Sequence, residues 1–260
     1  MKKVILLFLV LAMSGKWALA QEENNIKNFR FGLKATGMLT WYKPEDKKKY
    51  TSDGVSAKGG YGLIMEFRLN KVASIATGFQ VDYFGGKLNF LDTTYYYLSK
   101  DSEFETRAQA DTTSSVLYQL NSRVYNTTYV TLPFTLKLKT PEIGALTYFG
   151  MFGINTSLRM KSRTNDAVRS VKTGGSTSNN DILNTKDMNL MMFALNIGGG
   201  AEWNLAGSTS LVFGINFYNG FSNVVQSDSE FLFRSKSNNY DVTKQSARAS
   251  GFALSFGVLF

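Results

Sequence analysis

The sequence predicts an all-β protein: an eight-stranded antiparallel up-and-down transmembrane β-barrel with short periplasmic turns and long extracellular loops. Three observations predict it. Eight segments alternate apolar and polar residues with a period of two, and the links between them alternate between short and long. An export leader precedes them all, and no later stretch reaches the ~18 apolar residues of a spanning helix.

The leader occupies residues 1–20. Lys2 and Lys3 form a basic start, and Val4 to Met13 form an apolar run too short to cross a bilayer. Ala18-Leu19-Ala20 before Gln21 is an A-x-A processing pattern, so Ala18, Ala20 and Gln21 mark the expected cleavage. Cleavage removes three lysines and no acids, which lowers the net charge from +9 to +6. An acidic, Asn-rich periplasmic stub at 21–28 is then expected to lead into a barrel domain at 29–260.

The first strand sets the pattern. Phe29, Phe31, Leu33, Ala35, Gly37, Leu39 and Trp41 alternate with Arg30, Gly32, Lys34, Thr36, Met38 and Thr40. Such alternation gives a strand one apolar and one polar face. The apolar face returns along Tyr61 to Leu69, Ala73 to Tyr83, Val130 to Leu138 and Leu146 to Leu158. It returns again along Phe193 to Trp203, Leu211 to Phe217 and Phe252 to Phe260. Pro133, which lacks an N–H, should mark a bulge or weakened pairing in its strand. Gly198-Gly199-Gly200 lies inside a strand without phosphate-loop spacing, so these glycines should relieve crowding.

Short turns are expected near Asn70-Lys71, Thr140-Pro141-Glu142 and Ala206-Gly207-Ser208. Long links are expected at 42–58, 85–128, 161–187 and 220–245. An even strand number places both termini on the short-turn, periplasmic side. The second long link is expected to continue its flanking strands outward as a hairpin, with Tyr95-Tyr96-Tyr97 exposed for protein or glycan binding.

Charge placement separates the faces. The apolar positions carry no charge, whereas Arg30, Lys34, Glu66, Arg68, Asp82, Lys137, Lys139, Arg159 and Glu202 all fall on the other face. A basic residue facing mid-bilayer lipid costs about 2–4 kcal/mol, and a lumen tolerates it. Aromatics gather at both ends of the apolar face: Phe29, Phe67, Tyr148, Trp203 and Phe260 at one, Trp41, Tyr61, Tyr83 and Phe252 at the other. The competing arrangement is a secreted soluble barrel or sandwich with the apolar face turned inward.

The chain has no Cys and no His. That excludes disulfides, thiol chemistry, His-based triads and most zinc or haem ligation. No catalytic residue, cofactor or metal site is expected. The nine lumen charges are expected to form a structural ion-pair network, with anion binding or narrow conduction as the functional alternative. Lys43, Lys47, Lys48 and Lys49 in the first loop are placed to attract lipid phosphates.

The last segment, Phe252 to Phe260, ends on an aromatic with apolar Phe252, Leu254, Phe256, Val258 and Phe260 at every second position. It resembles the C-terminal signature that the bacterial barrel assembly machinery recognises. Tyr129-Val130-Thr131-Leu132-Pro133-Phe134-Thr135-Leu136-Lys137 resembles the central strand of PorT-like outer-membrane barrels. Phe31 to Lys34, Gly60 to Leu69 and Gly198 to Glu202 resemble other strands of that family. Thr131 departs from the family's usual Glu, so no role of that acid carries over. The resemblance implies an integral protein of the outer membrane in a Bacteroidota-type cell, whose namesake is an accessory of type IX secretion. The implied partners are outer-membrane lipid and lipopolysaccharide, the assembly machinery and envelope or secretion proteins, with no nucleic acid. A non-enzymatic docking or accessory role is expected, with a ligand-binding barrel or a loop-borne adhesin as alternatives. The barrel enzymes of outer membranes resemble one another in using a histidine, which this chain lacks.

Overall fold

The computed structural model describes residues 28–111, 114–236 and 239–260. The leader, its cleavage residues and most of the stub lie outside the described residues. Thirteen strands form one sheet: β1 (Phe29–Pro44), β2 (Tyr50–Ser52), β3 (Ser56–Arg68), β4 (Ala73–Leu98), β5 (Phe104–Glu105), β6 (Val116–Lys139) and β7 (Leu146–Ser170). They continue as β8 (Ser176–Leu183), β9 (Met191–Ala206), β10 (Thr209–Gly220), β11 (Asp228–Lys236), β12 (Asn239–Lys244) and β13 (Ala247–Leu259).

Eight of them close a ring in the order β1-β3-β4-β6-β7-β9-β10-β13, each antiparallel to its neighbours. Closure is made by β13 against β1, from Gly32↔Leu259 to Pro44↔Ala247. A closed ring pairs every backbone group laterally, which a strand facing lipid requires. The predicted short turns hold the ring at one end. Asn70 Oδ1 accepts the N–H groups of Val72 at 2.8 Å and Ala73 at 2.7 Å. Gly207 (φ +60°) supplies the left-handed residue of the two-residue β9–β10 hairpin.

The faces settle which way the barrel is turned. Phe31, Leu33, Phe79, Phe134 and Leu254 are all more than half exposed, with Leu254 at 65%, while Arg30, Glu66, Lys137 and Glu202 are buried. A soluble barrel would show the reverse, so the apolar band meets lipid. At the short-turn edge Phe29 packs at a tilt against Phe67 (5.0 Å) and Phe31 against Phe260 (5.9 Å); at the opposite edge Trp41 and Phe217 flank Phe252 (5.8 and 4.9 Å).

Pro133 weakens pairing as expected. The β4–β6 ladder runs to Thr77↔Phe134 and resumes at Gln80↔Thr131, leaving Gly78 opposite Pro133 and Phe79 opposite Leu132 unpaired. Gly78 has φ +151°, and a Cβ there would lie 2.0 Å from the Leu63 carbonyl oxygen. Gly78→Ala is therefore expected to cost about 1–3 kcal/mol. Gly37→Ala, with nothing within 4 Å of the added carbon, should be near neutral. Denaturant midpoints of the refolded barrel in micelles compare the two.

The long links differ from the expectation. β4, β6 and β7 run 26, 24 and 25 residues, about twice the 12 and 13 of β10 and β13. A tilted strand crosses a bilayer in about 9–11 residues. The three long strands therefore rise past the band as a wall, joined by β2, β5 and β8. The second link extends as expected, but the third, read as a loop over 161–187, is mostly strand as well. Its inner and outer residues are both polar, so alternation carried no signal. The fourth link forms the β11–β12 hairpin, and β11 pairs with β4 through Phe233↔Tyr95 and Arg234↔Thr94. In the ring β4 stands opposite β10, so this arm spans the mouth. Wall and arm together form a crown over the long-loop end.

Candidate functional site

Five of the nine predicted lumen charges meet at the short-turn end. Arg30 on β1 and Glu66 on β3 are register partners. Arg30 Nη2 lies 3.0 Å from Glu66 Oε2 and 2.7 Å from Glu202 Oε2, reaching across the lumen to β9. Lys137 Nζ lies 3.2 Å from Glu66 Oε2 and also pairs with Glu202. Lys139 Nζ pairs with Glu66 and lies 2.9 Å from Glu202 Oε1. Lys139 Nζ has these contacts without hydrogen-bond alignment, so its contribution is Coulombic. Ser74 Oγ donates to Glu66 Oε1 at 2.7 Å.

Glycine supports this layer through an aromatic. A Cβ on Gly200 would lie 2.7 Å from Cζ of Phe149. Its absence lets that ring lie in the lumen, 4.1 Å from the Lys137 ammonium. The crowding expected at the triple glycine is therefore real. Beyond the layer, an interior cavity of about 60 Å³ lined by Gln80, Pro133, Asn196 and Asn216 has room for a few waters at most.

The other four predicted charges stay outside the cluster. Arg68 sits half-buried at the rim, in the field of Arg30, Glu66 and Glu202. Lys34 and Asp82 attract one another further in, and Asp82 is buried and bonded to Thr131. Arg159 donates to the Met188 carbonyl at the long-loop end. The terminal residues Phe252, Leu254, Phe256 and Phe260 are exposed on the outer face of β13, with Val258 half-exposed.

A second charged layer lies inside the crown. Arg123, 1% exposed, donates through Nε and Nη2 to Asp166 Oδ1 and Oδ2 at 2.8 and 2.7 Å. Its Nη1 lies 3.7 Å from Asp187 Oδ2, which also accepts from Gln245 Nε2 at 3.3 Å. Burial pushes the Asp187 carboxyl above its usual range, against the pull of Arg123. The Phe104 and Tyr96 rings lie 4.8 and 5.6 Å from the guanidinium. Sequence reading missed this layer because all three charges fall within segments taken as loops. The available signal was that Arg123 and Asp166 lie at nearly equal distances along the chain from the β6–β7 turn, which makes them register partners.

The tyrosine triplet corrects an expectation. Tyr96 is fully buried against Phe104 (5.1 Å) and Tyr118 (5.9 Å), and Tyr95 and Tyr97 pack on Phe233 (6.1 and 5.5 Å). Every second residue of a wall strand must point into the crown, and an aromatic there finds apolar neighbours. The triplet is a packing element, so it offers no exposed tyrosine cluster. Tyr42, Tyr125, Tyr129, Met188 and Leu232 complete the buried fill. The lumen is thus filled at two heights, by the ion-pair layer at the short-turn end and by the aromatic cluster around Arg123, Asp166 and Asp187 in the crown. Among the described residues no group of three or more His, Cys, Asp or Glu is placed to hold a metal ion.

Residues 19–226 match the family model described as outer membrane protein beta-barrel domain. The chain belongs to this outer-membrane β-barrel family. Among solved structures, the chain is similar to OprG of Pseudomonas aeruginosa, at 12% identity and TM-score 0.44, covering 89% of this chain and 95% of that one. It is similar to Neisserial surface protein A at 11% identity and TM-score 0.37, covering 90% and 96%. It is also similar to the outer membrane protease OmpT of Escherichia coli, at 9% identity and TM-score 0.35, covering 92% and 98%. No curated protein matches the chain. As a member of the outer-membrane β-barrel family, the protein resides in the outer membrane.

Proposed function

We propose that the protein is a sealed, non-enzymatic barrel that acts through its crown as a docking or accessory protein of the envelope. The observation that carries this reading is the double closure of the lumen. A ring of eight strands has an interior that side chains can fill, and here an ion-pair layer and an aromatic layer fill it in series. That leaves the surface as the working part and counts against the narrow-channel and small-ligand alternatives. The absence of His and Cys supports the non-enzymatic part. The PorT-like strand pattern supports a place beside a type IX secretion apparatus, and the C-terminal Phe260 strand supports delivery by the barrel assembly machinery.

In this reading the short turns and both termini face the periplasm and the crown faces outward. The lack of native cysteine makes the test clean. An impermeant maleimide on intact cells is expected to label Asp101→Cys, exposed in the crown, and to leave Glu142→Cys in the short β6–β7 turn unlabelled until the cells are opened. Crosslinking from Asp101→Cys should recover defined envelope proteins, and recovery only from Glu142→Cys would overturn the crown as the docking face. In planar bilayers the purified protein should hold the baseline current. Regular unitary steps would revive the channel reading.

A further inference from the structure

The outer wall carries a polar cleft of about 490 Å³ just past the apolar band. Two rows of register partners form its floor: Tyr83, Thr128 and Lys161, then Asn126 and Arg163. Tyr83 and Met160, 42% and 63% exposed, are the last large apolar residues before it on β4 and β7. The apolar face of β4 runs from Ala73 to Tyr83, which is about one bilayer crossing for a tilted strand. The cleft therefore stands at the depth of lipid headgroups.

Its charge is unbalanced. Arg163 pairs with Asp181, while Lys58 and Lys161 make no ion pair among the described residues. Lys58 leaves the inward parity of β3 by folding across Gly85, where an added Cβ would lie 2.6 Å from its Cε. Its Nζ then donates to Asn126 Oδ1 at 2.5 Å on the outer face. By contrast, Lys49 in the first loop is neutralised by Asp46, 2.9 Å away. Below the cleft, sharing β3, β4 and β6 with it and running on over β1 and β13, lies an apolar furrow of about 550 Å³ lined by Tyr61, Leu63, Phe79, Val81, Val130 and Phe256. Polar donors above an acyl-sized furrow describe a site for an amphiphile.

We infer that Lys58, Lys161 and Arg163 bind a phosphate group of a phosphorylated lipid in the leaflet facing the crown, with an acyl chain in the furrow beneath. In an outer membrane this class is the phosphorylated glycolipid of the outer leaflet. The inference rests on the orientation proposed above, which cysteine labelling tests separately. Failure of lipid binding with correct labelling would remove the site alone.

The test uses the full-length barrel in nanodiscs of a neutral lipid doped with lipid A, with retained phosphorus counted after extensive exchange. Wild type should retain about one lipid A per barrel, and the Lys58→Gln/Lys161→Gln variant should bind roughly 30-fold more weakly. These residues lie on the outer surface, so the heat-dependent gel shift should be unchanged and would report any folding defect. Lys47→Gln/Lys48→Gln, an equal charge change in the first loop, should bind as wild type. Equal loss in both pairs would reduce the effect to general surface charge and overturn the site. Equal retention of dephosphorylated lipid A would overturn phosphate recognition. Full displacement by inorganic phosphate would overturn the lipid as the source.

Discussion

Glu202→Ala is expected to lower the stability of the refolded barrel by about 3–5 kcal/mol. Glu202 and Glu66 are shared by Arg30, Lys137 and Lys139, all buried. Removing one acid leaves three cations around a single carboxylate inside a closed wall, and an uncompensated buried charge dominates the loss. Glu202→Gln keeps the volume and should lose nearly as much. The charge-matched Glu202→Gln/Lys137→Met should recover most of it, because replacing a whole buried pair by apolar atoms is close to neutral. Urea midpoints in lipid vesicles measure all three. An unchanged midpoint for Glu202→Ala would mean a hydrated, screened layer, and with it an accessible lumen.

Arg123→Met should have a similar local effect, confined to the crown. It would strand Asp166 and Asp187 together at 1% and 2% exposure, with Asp187 Oδ1 already lacking a hydrogen-bond partner. The expected loss is about 3–5 kcal/mol of crown stability, while the band and its ion-pair layer are untouched. Limited proteolysis should cut the crown segments of the variant and spare those of the wild type. The heat-dependent gel shift of the membrane-embedded part should persist in both. Loss of that shift would show that crown and band unfold as one unit.

Contrast between faces explains what was legible. Along Phe29 to Trp41 the odd-numbered residues, all uncharged, meet lipid, and the even-numbered ones, which carry all the charge, face the lumen, so one strand reveals its own orientation. Because parity is then known, Arg30, Glu66, Lys137, Lys139 and Glu202 could be assigned to one compartment before their contacts were seen. Their convergence at one end followed from strand position. Lys34, Asp82, Arg68 and Arg159 share the compartment but not the cluster, since parity carries no information about height across a sheared ring. The crown reverses the situation. From Lys161 to Ser170 the outward residues are Lys161, Arg163, Asn165, Ala167 and Arg169 and the inward ones Ser162, Thr164, Asp166, Val168 and Ser170. Water outside and mostly polar inward residues on this strand leave no difference to detect. The same absence hid Arg123 and made Tyr96 look like an exposed residue.

The arm across the mouth has a consequence for the order of assembly. Its pairing partner on β4 was synthesised more than a hundred residues earlier, and the seam between β1 and β13 joins the two ends of the chain. The seam joins residues more than two hundred positions apart and the arm residues more than a hundred apart, and contacts of such separation form late. The arm is also tethered between β10 and β13, so it reaches β4 across a mouth whose rim those strands complete. The arm is therefore expected to take its final place across the mouth only once β10 and β13 flank it in the ring.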